Sequence, residues 1–277
     1  MQWTSATSRG PLADIHGFRG TVLAVFPGAI YIAGARPESD LLVVHDASHG
    51  HTPTSLLVER SSLTNVEPGE AVHGRAGYLR AGELIVDARH AAVWTPRPAS
   101  ATTRSSAELT QSCRKLRDSV PATAIDRLGQ MNQLLSVIGD PRGAGIESAL
   151  TRIIGSGPGL TPSGDDALVG MLGVLHRVCE PSAAAVHLGQ LRGSIPDLLR
   201  RTTPISAHYL RLALRGAFGE HLTVLLDAIA DGSDPDAAIE RVIAVGATSG
   251  ADALGGIALT LDSLANRARF QCSKDVA

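Results

Sequence analysis

TPRPASATTRSS, residues 95–106, holds two prolines and six hydroxyl residues in twelve positions, and the apolar period of the chain changes across it. Before it, from about Phe18 to Pro98, the runs GTVLAVF, AIYIAG, DLLVVHD, TSLLVE, AGYLRAGELIVDA and AAVWTP are continuous or alternate every second residue. Gly, Pro, Asp, Ser and Asn clusters separate them, which is the pattern of strands in an antiparallel sheet or small barrel. After it, SAELTQSCRKLRDSV, ATAIDRLGQMNQLLSVI, GIESALTRII, DDALVGMLGVLHRVC, PISAHYLRLALRGAFGEHLTVLLDAIA, PDAAIERVIAVG and ADALGGIALTLDSLANRAR repeat at three and four residues, the helical period. The chain thus reads as α+β: a β-rich domain over 1–100, then a mostly helical domain over 101–277 that ends in a frayed tail, FQCSKDVA.

With 277 residues, 44% of them hydrophobic, the chain can bury a sizeable core. Its 25 Lys and Arg nearly balance 27 Asp and Glu, so no global field draws it to nucleic acid or an anionic membrane, and 3% aromatic content argues against base-stacking platforms. No apolar run approaches a membrane span, and MQWTSATSRGPLADIHG lacks the apolar centre of a signal peptide. A cytoplasmic protein with no nucleic-acid or membrane partner is expected. Cys113, Cys179 and Cys272 are scattered, as reduced thiols are.

GSGPGLTPSGDDALVG, residues 155–170, has more glycine and aspartate than packing needs, and part of it recurs: SGDDALVG at 163–170 and SGADALGG at 249–256 agree at six of eight positions. Each copy has the grammar of a helix start, with Ser163 and Ser249 as N-caps and Asp166 and Asp252 three residues on. Ala167 with Gly170, and Ala253 with Gly256, form small strips on which helices can approach. Two well-capped, closely packed helices would explain this much. They leave Asp165 and the preceding loop unexplained. Glycines at 155, 157 and 159 ahead of a positive helix end outline an anion cradle, although neither a P-loop nor G-x-G-x-x-G is present. Two matching helix starts could face one another across a pseudo-symmetric pocket. Three carboxylates there would repel an anion, so either Mg²⁺ sits on Asp165, Asp166 and Asp252, or at least one aspartate only caps its helix.

Between the copies, TTPISAHYLRLALRG, residues 202–216, begins a helix with Thr203 as cap and Pro204 first. His208, Arg211 and Arg215 then fall near one face, suited to a carboxylate or phosphate. A solvated basic face with a half-buried His is the plainer alternative. HDASHGH places His45, His49 and His51 at a spacing that can capture a transition metal, but without a clear fourth ligand it reads as a polar loop. His73 and His90 read as strand or turn residues. No G-x-S-x-G nucleophile motif is present.

Taken together, GSGPGLTPSGDDALVG, TTPISAHYLRLALRGAFGE and ATSGADALGGIAL, spread over about residues 150–260, resemble the family that includes the AllH subunit of oxamate carbamoyltransferase. The resemblance implies anaerobic allantoin and purine breakdown, in which a multi-subunit enzyme moves a carbamoyl group between oxamate and phosphate. A small anionic substrate and partner subunits or homo-oligomers are the partners expected. Residue roles follow from the chemistry of that ligand, a dianion carrying an amide. Gly157, Gly159, Thr161, Ser163, Gly164, Asp165, Ser249 and Gly250 belong to the substrate cradle, Arg211 supplies charge, Asp166 or Asp252 accepts from the amide, and His208 is the general acid/base candidate. A Mg²⁺-dependent ligase, kinase or phosphate-ester hydrolase, and a non-catalytic assembly or regulatory subunit, are the competing readings.

Overall fold

Alternation governs the first part of the chain: in AVHGR, residues 71–75, Val72 and Gly74 are buried while Ala71, His73 and Arg75 are exposed, so one face of a pleated strand lies on a core. The structure, a computed structural model, describes residues 1–35, 41–59, 63, 65–99, 106–140 and 142–274. They fall into two units, Met1–Arg97 and Pro98–Ala277.

In the first unit the strands are β1 (Gln2–Ser5), β2 (Ser8–Arg9), β3 (Arg19–Phe26), β4 (Ala29–Gly34), β5 (Leu42–His45), β6 (Ser55–Leu57), β7 (Ala71–Arg75), β8 (Tyr78–Ala81), β9 (Leu84–Asp87) and β10 (Ala92–Val93). They form one curled half-barrel sheet in the order β1-β9-β8-β7-β3-β4-β5-β6-β2-β10. Ile30, Ile32, Leu56, Val72, Leu79 and Leu84, all at most 1% exposed, fill its concave core. The sheet starts earlier than expected and is mixed: β1 runs parallel to β9, β5 to β6, and β10 to β2. β1 escapes a reading based on apolar runs because its sequence is QWTS, with Trp3 63% exposed, and the backbone ladder with β9 holds it.

The helical unit comprises α1 (Ser106–Ser119), α2 (Ala122–Arg127), α3 (Gly129–Val137), α4 (Ile146–Ile153), α5 (Ser163–Arg177), α6 (Pro181–Leu198), α7 (Pro204–Leu214), α8 (Glu220–Asp231), α9 (Asp236–Ile243) and α10 (Ser249–Lys274). The tail expected to fray from residue 270 continues α10 to Lys274, and only its last three residues lie outside the described ones. α5 is buried on nearly every side, the mark of a central helix. At its far end the Arg177 guanidinium, 6% exposed, donates to Asp227 of α8 from Nε and Nη2 at 2.8 and 2.6 Å.

α5 and α10 pack through the repeat. A Cβ on Gly170 would lie 2.2 Å from the Ala253 carbonyl oxygen, and one on Gly256 would lie 2.1 Å from that of Ala167. In the repeat, Gly170 corresponds to Gly256 and Ala167 to Ala253, so the contact is its own mirror under an internal pseudo-two-fold. The relation extends outward, since Gly164 is pressed on the Ile153 carbonyl of α4 and its counterpart Gly250 on the Val242 carbonyl of α9. Each copy is a helix, a connection and a second helix, and the second helices cross backbone to backbone.

Alanine normally stabilises a helix interior by about 1 kcal/mol over glycine. Gly170→Ala and Gly256→Ala are expected to do the reverse, each destabilising by about 3 kcal/mol because the obstacle is backbone that cannot swing away. Gly189→Ala, at an exposed α6 site with nothing within 4 Å, should stabilise. Urea denaturation of the three variants measures both signs.

Candidate functional site

The connection from α4 to α5 folds back on itself. Gly155 (φ 79°) and Gly157 (φ 112°) are in the left-handed region, and Cβ atoms there would come within 2.4 Å of the Arg201 carbonyl oxygen and 2.8 Å of the Ser163 nitrogen. The loop thereby lies against both the start of α5 and the entry to α7. Gly157, Pro158, Gly159 and Leu160 form its exposed crest.

Hydrogen bonds bring three helix starts onto this loop. Asp165, 1% exposed, accepts from the Gly155 N–H at 3.0 Å with one oxygen and from the Thr202 hydroxyl with the other. Thr203 caps α7 as expected, accepting from the Ser206 N–H at 3.1 Å, and also donates to the Leu160 carbonyl. The Thr161 and Ser249 hydroxyls bond at 2.6 Å across 88 residues of sequence. The two motif copies therefore meet, and the N-termini of α5, α7 and α10 gather where backbone N–H groups and helix dipoles favour negative charge.

The serines do not cap as expected. Pro162 occupies the N-cap of α5 with extended ψ and no side-chain cap bond, its carbonyl taking the Asp165 and Asp166 N–H groups at 2.9 and 3.2 Å. In α10 the Thr248 carbonyl accepts from the Asp252 N–H at 2.9 Å, which puts Ser249 inside the first turn. The proline fixes the start of α5 one residue early, and in α10 Ser249, inside the first turn, reaches Thr161 instead of capping. Ser163 is buried beneath Gly157.

The aspartates separate into two kinds. Asp165 is saturated by loop and α7 donors: burial raises its pKa, while Thr202, the Gly155 N–H and Ser206 oppose the rise. Asp166 is held well above the usual carboxylate range, first by burial and then by the charges of Asp252 and Asp165, against hydrogen bonds from Ser249 and Thr161. Its Oδ2 is sealed from solvent and has no hydrogen-bond partner in the protein. Asp252 is wholly buried. Among the described residues no group of three or more His, Cys, Asp and Glu is placed to hold a metal ion. Asp165 turns to the loop.

On α7, which packs on α5, His208 is fully buried and not half-buried in a solvated face. Burial falls along the helix: Arg211 is partly exposed, and Arg215, at the exposed C-cap, donates from Nε to the Arg211 carbonyl at 3.2 Å. Gly164 and Gly250 face the preceding helices, where backbone contact accounts for them. Sequence reasoning missed Thr202 as a partner of Asp165. The cap grammar TTP marked the place, but nothing local marked a bond 37 residues back.

The histidine loop lies in the first unit. His45 Nδ1–H donates to the Asp46 carbonyl at 2.8 Å, and burial lowers its pKa to about 4. His49 contacts the Asp46 carboxylate at 3.4 Å, and His51 stacks on Trp94 at 5.5 Å. His73 is an exposed β7 residue and His90 lies in a turn.

Two measurements follow from these environments. Asp165→Ala leaves the Gly155 N–H and Thr202 hydroxyl without their buried acceptor and is expected to cost about 1 to 3 kcal/mol in urea denaturation, with faster protease cleavage in the loop. His45 binds its proton more weakly folded than unfolded, so its contribution is present above the unfolded pKa and is lost as pH falls from about 6.5 towards 4. Between pH 7 and 5 that loss is about 2 kcal/mol, and His45→Asn should flatten the thermal-unfolding profile over this window.

Among the described residues no helix is long and apolar enough to cross a membrane. No solved structure matches the chain. The stretch that carries both copies of the motif, the glycine loop and the helix between them, residues 153–261, matches the AllH family, oxamate carbamoyltransferase subunit AllH.

Proposed function

We propose that this chain is a subunit of a cytoplasmic enzyme that moves a carbamoyl group between a small anion of the oxamate type and phosphate, in purine or allantoin nitrogen catabolism, together with partner subunits. The observation that carries the reading is the bond between Thr161 and Ser249, which joins the two motif copies inside the stretch that matches a carbamoyltransferase subunit family. A small dianion carrying an amide needs backbone N–H groups, hydroxyls, positive charge and an amide acceptor in one place. Gly157, Gly159, Thr161, Ser163 and Ser249 supply the first two in this reading, Arg211 the third, and Asp166 or Asp252 the last. His208 serves as general acid/base.

The Mg²⁺-dependent ligase, kinase or hydrolase loses support because Asp165 already has protein donors on both oxygens. The assembly-subunit reading draws on the reciprocal glycine contacts, which packing alone explains.

Thermal unfolding of the chain, alone and with its partner subunits, against oxamate, carbamoyl phosphate, phosphate, ATP and ADP, each with and without Mg²⁺, separates the three. Oxamate or carbamoyl phosphate should raise the midpoint without Mg²⁺, by the equivalent of about 2.7 kcal/mol at a hundredfold excess over Kd. A shift only with nucleotide and Mg²⁺ would transfer the reading to the ligase class. No shift in chain or complex would leave the assembly subunit.

A further inference from the structure

In the first unit, strand register gathers charge where the sheet gains nothing from it. Across β3, β7, β8, β9 and β1 the residues Arg19, His73, Arg80, Ile85 and Trp3 are successive Cα partners, so their side chains form one row on the face opposite the core. The next row is Arg75, Tyr78, Asp87 and Ser5. Arg75 is thereby the diagonal neighbour of both Arg19 and Arg80, about 7 to 8 Å away across adjacent strands, where like charges cost stability. All three arginines are exposed, and so is Trp3, at 63%. Trp3 meets Tyr78 edge-on at 5.8 Å, and the Arg89 guanidinium lies 4.5 Å from the Tyr78 ring centre. Four of the eight arginines in residues 1–97 thus share this face, although the same stretch holds nine Asp and Glu. Among the described residues only Arg89 of the four has an acidic partner, Asp87 at 2.8 Å.

We infer that this face docks an acidic segment of a partner polypeptide, with Arg19, Arg75 and Arg80 receiving its carboxylates and Trp3 supplying the apolar contact. Carboxylates laid across the cluster replace the repulsion among the three arginines by attraction, and the planar guanidinium offers each a two-pronged bond. Trp and Arg are the side chains on which protein interfaces concentrate their binding energy. Nucleic acid fits the face less well: Arg89 covers a face of the Tyr78 ring and Trp3 meets that ring at 85°, so successive bases find no ladder of free ring faces. A chain that matches a subunit family has partner polypeptides to meet, and the inference needs nothing of the carbamoyl-transfer chemistry.

Trp3 and Trp94 are the two tryptophans of the chain, so intrinsic emission reports on this face. The full chain is titrated with octaglutamate at an ionic strength of about 10 mM, where the screening length is about 30 Å. A saturable change in emission is expected that Trp3→Phe removes. Its half-saturation should rise about tenfold or more in the Arg19→Glu, Arg80→Glu double variant and stay unchanged in Arg241→Glu, an exposed site on α9. Every substituted position is exposed, and circular dichroism checks that the variants fold as the wild type does. No saturable change in wild type, or a double variant that binds as wild type does, overturns the inference. So does tighter binding of a thymidine octanucleotide, which assigns the face to nucleic acid. Self-association of the chain in sedimentation, abolished in the double variant, overturns it as well, by assigning the face to a second copy.

Discussion

The carbonyl oxygens of Ala167 and Ala253 constrain the helical unit, since each occupies the space a side chain of the facing helix would need. Only glycine at 170 and 256 permits that approach, and it brings the starts of α5 and α10 together with little freedom to slide. Both contacts would be lost by the same displacement, so they fix one register between the helices. Apolar surfaces alone set register less sharply, because Leu and Ile contacts re-form after a small shift. The surrounding core of Leu168, Leu172, Leu254 and Ile257, each fully buried, stabilises an arrangement that the backbone contacts define.

That register has an electrostatic consequence. Convergent N-termini favour negative charge, and the sequence supplies three aspartates within the two first turns. One of them, Asp165, is spent on architecture, tying Gly155 to the residues that precede α7. Of the other two, Asp252 is wholly buried, and Asp166 is partly buried and feels its charge.

Much of this was legible in sequence because it is written in local terms. The change of period at 95–106 separates strand from helix, and TTP announces the start of α7 through the cap of Thr203 and the fixed φ of Pro204. The repeat itself was visible as six identical positions in eight. What local pattern could not carry was whether the copies meet, since that depends on carbonyl oxygens, which have no letter in the sequence. The serines were misread for a related reason: Pro162 sets the start of α5, and Ser249 then bonds a threonine 88 residues away. β1 was missed because QWTS is no apolar run, and its place in the sheet rests on the backbone ladder with β9 and the edge-on contact of Trp3 with Tyr78. Asp165 stood out in sequence because capping needs no second aspartate, and its partners are a loop glycine, Gly155, and Thr202, just ahead of the cap of α7.

The most informative position is where the repeat departs from itself. Asp165 of the first copy is Ala251 in the second, and the span from Ile153 to Gly164 is three residues longer than the equivalent span from Val242 to Gly250. These two differences are one device. A short connection closes on itself, the Gly250 N–H reaching the Val245 carbonyl at 3.1 Å, and needs no further support. A longer one, with Gly157, Pro158, Gly159 and Leu160 held out to solvent, would move unless tied, and the Asp165 carboxylate ties it at Gly155 and Thr202. Packing two helices symmetrically requires neither the extra residues nor the aspartate. The pseudo-symmetric core thus carries the structure, and the asymmetric, exposed loop above it, anchored by Asp165, is where the chain departs from what packing two helices requires.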